Sequence, residues 1–114
     1  MTLAALRLHF PDGGEVIVPP LGWVSNISAV LQSGFTPVFV DIDPYHLGID
    51  TKRIISALNE NTRAVLLTHV QGFNALTEEL INVLQQRGVL LIEDVCEAHG
   101  ASHLGKKLGN FGWA

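Results

Sequence analysis

Short apolar runs alternate with amphipathic stretches along the whole chain. Val16-Ile17-Val18 is a brief β-branched run stopped by Pro19-Pro20. From Trp23 to Gln32 the apolar positions Trp23, Ile27, Val30 and Leu31 recur at helical spacing, and Ser33-Gly34 closes the segment. Val38-Phe39-Val40 is a second strand candidate, ended by Asp41-Ile42-Asp43-Pro44. Asp50 is a suitable N-cap for a helix over Thr51–Leu58, whose Ile54, Ile55 and Leu58 share one side. Ala64-Val65-Leu66-Leu67 is the third strand candidate. Thr77-Glu78-Glu79-Leu80 has the cap and acidic first turn of a helix running to Gln86, with Arg87 and Gly88 at its end. Val89-Leu90-Leu91-Ile92, closed by Glu93-Asp94, is the fourth strand candidate.

Strands that are apolar at consecutive positions are buried on both faces, and helices between them indicate crossover connections. The pattern therefore predicts β-α-β-α-β-α-β, an α/β fold with a mostly parallel sheet and crossover helices. The tail from Gly100 to Gly112 predicts turns and a small hairpin around Gly105-Lys106. Both ends read as cut. Leu3–Leu8 has the character of the last turns of a helix, and Trp113-Ala114 follows Asn110-Phe111-Gly112 without a closing element. Residues 1–114 are thus expected to form a single partial domain of a larger protein.

Composition narrows the class. A chain of 114 residues is the size of one domain, and 47% hydrophobic with 16% charged residues excludes a disordered segment. Seven basic against eleven acidic residues, a net charge of -4, argue against a surface built to neutralise nucleic-acid phosphates. No apolar run approaches the roughly 20 residues a membrane helix needs. Met1–Phe10 lacks a basic cluster and a small-residue cleavage site, and Cys96 is the sole cysteine, which fits a reducing compartment. A cytoplasmic protein without nucleic-acid or membrane partners is expected.

In open parallel sheets, ligands sit beyond the carboxyl ends of the strands. The polar residues there are Asp41, Asp43, Thr68, His69, Glu93, Asp94 and Glu97. Asp94 has two readings. It caps the following turn through backbone N–H groups, or it meets a cation that no nearby lysine or arginine supplies. Trp23 is either a core aromatic or a flat surface offered to a ring. Gly100–Lys107 nearly spells a phosphate-binding loop, but Lys107 stands where a magnesium-holding hydroxyl belongs and no helix can follow. Cys96, His99 and His103, with Glu93 or Glu97, have spacings a metal could use, yet Gly100 breaks the helix that would align the histidines. No metal site is expected. There is no G-x-G-x-x-G after a strand and no G-x-S-x-G.

Taken together, Gly14-Glu15-Val16-Ile17-Val18-Pro19, Trp23 and Thr36-Pro37-Val38-Phe39-Val40-Asp41-Ile42-Asp43 resemble the DegT/DnrJ/EryC1/StrS family. The likeness continues through Ile49-Asp50, Thr62-Arg63-Ala64-Val65, His69, Ile92–Ala101 and Gly105–Gly112. The resemblance implies the large, cofactor-binding domain of a fold type I (aspartate-aminotransferase-like) enzyme that uses pyridoxal 5′-phosphate, works as a homodimer, and acts on nucleotide-linked keto sugars. It gives the isolated residues cofactor-binding roles. Asp94 matches the aspartate that pairs with the protonated pyridine nitrogen. A buried carboxylate raises that nitrogen's pKa, and the protonated ring draws electrons from the substrate. Trp23 matches the aromatic that stacks on the ring. Glu97 matches the position that contacts the phenolic oxygen, where most aminotransferases of the family carry Gln.

The Glu93-Asp94-Val95-Cys96-Glu97 string with Gly22-Trp23 is also similar to the keto-deoxysugar 3-dehydratase branch, which replaces the Schiff-base lysine with histidine. None of Lys52, Lys106 and Lys107 matches the Schiff-base position, which the resemblance puts downstream, so no catalytic residue is expected within these residues. The resemblance implies amino transfer from an amino acid, glutamate, to a nucleotide-linked keto sugar. The alternatives are 3-dehydration of a nucleotide 4-keto-6-deoxyhexose, and a non-catalytic binding protein should the 114 residues be the whole product.

Overall fold

In the computed structural model, which describes residues 1–114, the element order is α1 (Thr2–His9), β1 (Glu15–Val18), α2 (Val24–Gln32), β2 (Thr36–Phe39), α3 (Thr51–Ala57), β3 (Thr62–Thr68), α4 (Glu78–Arg87), β4 (Leu90–Asp94), β5 (Ser102–His103) and β6 (Lys106–Lys107). Local signals set the helix ends. The Asp50 carboxylate accepts the Lys52 and Arg53 N–H groups at 2.8 and 3.1 Å, and Thr77 Oγ1 accepts from Leu80 at 3.1 Å. Gly88 ends α4 with φ 65°, a left-handed turn that a Cβ would strain.

The four long strands form one parallel sheet in the order β2-β1-β3-β4. Register places Ile17 beside Val38 and Val65, and Thr68 beside Asp94. Side-chain alternation then divides the core. Ile17, Val65, Leu67 and Leu91 pack with Ile54, Leu80 and Leu84 on the α3/α4 side. Val16, Val18, Ala64, Leu66 and Ile92 pack with Leu6 and Val30 on the α1/α2 side. Strands β1, β3 and β4 are buried on both faces, as the consecutive apolar runs predict.

Strand β2 departs from that expectation. It begins at Thr36 rather than Val38, and none of its residues is fully buried: Pro37 and Val38 are half-buried, Thr36 and Phe39 exposed. It is an edge strand, paired only to β1, so its apolar residues lack the cover that central strands receive. At the opposite edge, the Trp113 N–H donates to the Leu91 carbonyl and the Glu93 N–H to the Ala114 carbonyl, both at 2.8 Å. Gly112 makes this approach possible, because a Cβ there would meet the Leu91 carbonyl oxygen at 2.5 Å. The expected hairpin is present as antiparallel β5 and β6, turned at Leu104-Gly105, both at positive φ. No helix is long and apolar enough to cross a membrane.

Candidate active site

The carboxyl ends of β1, β3 and β4 lie at one side of the sheet, and the loops beyond them enclose an open pocket of about 310 Å³. The β1–α2 loop contributes Leu21, Gly22 and Trp23. The end of β3 contributes Thr68 and the following turn Val70 and Gln71. The end of β4 contributes Asp94, Cys96 and Glu97. The three residues singled out in the sequence therefore share one cavity, although they come from two distant segments.

Asp94 follows the parity of Ile92, so its side chain turns toward α2. Its Oδ2 accepts from the Asn26 side-chain amide at 2.7 Å, and its Oδ1 accepts from the Cys96 N–H at 3.1 Å. The same Asn26 nitrogen stands 3.4 Å from Thr68 Oγ1. Burial works to raise the Asp94 carboxyl pKa, but hydrogen bonds from Asn26 and from the Cys96 thiol and N–H outweigh it, and the group is held below the usual range. No Lys, Arg or His lies within ion-pair distance of this carboxylate. The capping reading of Asp94 thus holds for Oδ1, while Oδ2 is ordered by an amide, and the residue lines a cavity to which no Lys, Arg or His contributes.

Trp23 is not a core residue. It precedes the first turn of α2 and is 67% exposed, which leaves the indole as an open wall. Glu97 Oε2 accepts the Gln71 N–H at 2.6 Å, and Gln71 holds the left-handed conformation at φ 52°. The carboxylate braces the loop after β3. Cys96 is exposed, and its thiol pKa is raised by the hydrogen bond to Asp94 and by that residue's charge, so it is no activated nucleophile.

The roles of two groups are not legible in the sequence. Asn26 sits one turn beyond Trp23, and only the pairing of distant strands brings it to Asp94. Glu93 takes the parity of Leu91 and faces away from the pocket. It is buried against His69, with Nε2–Oε2 at 3.3 Å, and accepts the N–H groups of Gly109, Phe111 and Gly112 at 2.9, 2.7 and 2.7 Å. Strand alternation was the available signal. Cys96, His99 and His103 do not gather into a metal-sized group, and neither do any other three His, Cys, Asp or Glu side chains. Lys52, Lys106 and Lys107 are exposed and line no part of the pocket. A second hollow of about 350 Å³ between α4 and the tail contains no ionisable side chain, so its size confers no chemistry.

The parallel sheet with its helices is that of the fold type I pyridoxal-phosphate enzymes, as solved structures show. An Escherichia coli GDP-4-keto-6-deoxy-D-mannose-3-dehydratase with bound hydrated pyridoxal phosphate superposes with a TM-score of 0.87 at 34% identity, over 97% of this chain and 30% of that one. The aminotransferase from Psychrobacter cryohalolentis gives 0.87 at 29% identity, over 96% and 28%. The chain belongs to the DegT/DnrJ/EryC1/StrS aminotransferase family, whose model matches residues 1–114. It is 34% identical over 110 residues to GDP-perosamine synthase of Escherichia coli O157:H7, covering 96% of this chain and 30% of that protein. It is 40% identical over 102 residues to L-glutamine:scyllo-inosose aminotransferase of Streptomyces griseus, covering 90% and 24%. The chain thus spans less than a third of the relatives it matches. The family cofactor is pyridoxal phosphate, and both branches anticipated from the sequence occur among the neighbours.

Proposed function

We propose that residues 1–114 are part of the cofactor-binding domain of a pyridoxal-phosphate enzyme that transfers an amino group from an amino acid to a nucleotide-linked keto sugar. The donor is glutamate or its amide; one relative is named for L-glutamine. The observation that carries this reading is Asp94, a half-buried carboxylate held in its ionised form without a cationic partner, in the same pocket as an open indole.

The donor set suits the cofactor. When bound, it supplies a heteroaromatic ring that accepts electrons from a substrate carbanion. Asp94 would accept a hydrogen bond from the protonated ring nitrogen and balance its charge. Asn26 fixes the carboxylate so that no reorientation is needed when charge develops. Trp23 would cover one ring face and exclude water from it. Glu97 keeps the Gln71 turn in place and lies beside the same cavity. The lysine or histidine that performs proton transfer would come from another part of the whole protein, because no lysine here lines the pocket. By themselves these residues would bind but not turn over.

The second reading, 3-dehydration of a nucleotide 4-keto-6-deoxyhexose, is supported by Glu97 in the pocket of Trp23 and by a dehydratase matching at 34%, the same identity as GDP-perosamine synthase. Incubating the whole protein with pyridoxal phosphate, glutamate and such a sugar separates the two. Amination leaves nitrogen on the sugar, whereas dehydration removes the C3 oxygen. Asp94→Ala is expected to weaken cofactor uptake and to abolish turnover. A wild-type protein that takes up no pyridoxal phosphate overturns both readings.

A further inference from the structure

We propose that the buried His69–Glu93 pair is the positioning unit of the pocket, fixing the loop that carries Gln71 relative to the strand end that carries Asp94. What the pocket binds rests on the functional reading above; the geometry does not.

His69 is fully buried at the end of β3, and its N–H donates to the Asp94 carbonyl at 3.0 Å. Its Nδ1 lies 3.2 Å from the Ala75 nitrogen. That N–H can only donate, so Nδ1 carries the lone pair and the ring proton resides on Nε2, directed at Glu93 Oε2. One ring thereby joins the far end of the Val70–Asn74 loop to β4. Within that loop the Gln71 N–H holds Glu97, and a Cβ on Gly72 would lie 3.3 Å from the Glu97 carbonyl oxygen. The loop and the segment after Asp94 are therefore in close contact, and both trace back to the same pair.

Glu93 has no spare capacity. Its two oxygens receive four N–H donors, from His69, Gly109, Phe111 and Gly112. A carboxylate offers about four acceptor sites and no donor. An amide of the same shape must point its own N–H groups at some of those donors. Neither Glu93 nor His69 lines the pocket of Trp23, Asp94 and Glu97. Their influence passes through the backbone, which makes them positioning residues rather than catalytic ones.

The test uses Glu93→Gln and His69→Asn in the whole protein, read by amide hydrogen exchange and by absorbance titration with pyridoxal phosphate. Asn at 69 keeps an acceptor for Ala75 but cannot reach Glu93. Glu93→Gln is expected to raise exchange at Gly109–Gly112, at Val70–Leu76 and at Cys96–Ala98, and to weaken pyridoxal phosphate binding about tenfold, the loss of roughly one buried hydrogen bond. His69→Asn is expected to raise exchange at Val70–Leu76 and weaken binding similarly, while Gly109–Gly112 stays protected by the three remaining contacts. The proposal is overturned if Glu93→Gln loosens only the tail and leaves affinity unchanged. It is equally overturned if either variant raises exchange uniformly across the sheet, which is general destabilisation. Should Glu93→Gln not fold, His69→Asn decides alone. If the wild type takes up no pyridoxal phosphate, the functional reading fails, and the exchange pattern still decides the positioning role.

Discussion

The Asn26 amide nitrogen lies 2.7 Å from Asp94 Oδ2, bridging 68 positions of sequence. It is the strongest of the hydrogen bonds that keep Asp94 ionised against its burial. Removing it leaves the carboxylate with the Cys96 contacts alone. Asn26→Ala should therefore raise the Asp94 pKa and move the acidic limb of the kcat/KM profile upward. The stability cost should be about 0.5–1.5 kcal/mol, the range for one hydrogen bond lost from a group that keeps its other contacts. An unchanged acidic limb would show that Asn26 does not act through Asp94.

Trp23 contributes little to the core, since most of its surface is open. Trp23→Ala should change stability by no more than about 0.5 kcal/mol, as exposed positions do. The same change should weaken pyridoxal phosphate binding severalfold, and Trp23→Phe should restore part of it. Thermal melts and absorbance titrations check the split. Equal losses in both would return the indole to a packing role.

Glu93 makes the fold acid-sensitive. Burial raises its pKa, but the His69 contact and the Gly109, Gly112 and Phe111 N–H groups overcome this and lower it from 4.5 to about 2. A depressed folded-state value means the stabilisation is complete above the unfolded value and is lost as pH falls from about 4.5 toward 2. The amount at stake is roughly 3 kcal/mol. Melting temperature followed from pH 7 to pH 3 should fall steeply below about 4.5 in the wild type and less steeply in Glu93→Gln.

Asp94 also governs the neighbouring thiol. Its carboxylate accepts from Cys96 and raises the thiol pKa. Asp94→Asn removes the charge, so alkylation of Cys96 by iodoacetamide at neutral pH should accelerate. This rate needs no cofactor or substrate and reports directly on the local field. An unaltered rate would separate the two side chains electrostatically.

Much of this was legible in the chain. Apolar runs between capped amphipathic segments were enough for the parallel sheet, because burial on both faces leaves no polar alternation. The strand-end rule and the family motif brought Trp23, Asp94 and Glu97 to one pocket. What the runs did not carry was strand order. The exposure of Phe39 follows from β2 lying at an edge, which no local pattern records. The Asn26–Asp94 contact depends on β1, β3 and β4 being neighbours in that order. The role of Glu93 was hidden for a different reason. Beside Asp94 it read as one more strand-end acid, although adjacent strand residues must face opposite ways.

That opposition makes β4 intolerant of slippage. A frame displaced by a single position would swing one acid into hydrocarbon and present the other to the cavity, while the tail lost the carboxylate that accepts its Gly109, Phe111 and Gly112 N–H groups. Insertions or deletions in the turn leading into Leu90 should thus be far more damaging than substitutions there. The strand is pinned from both sides by two neighbouring charges that cannot trade places.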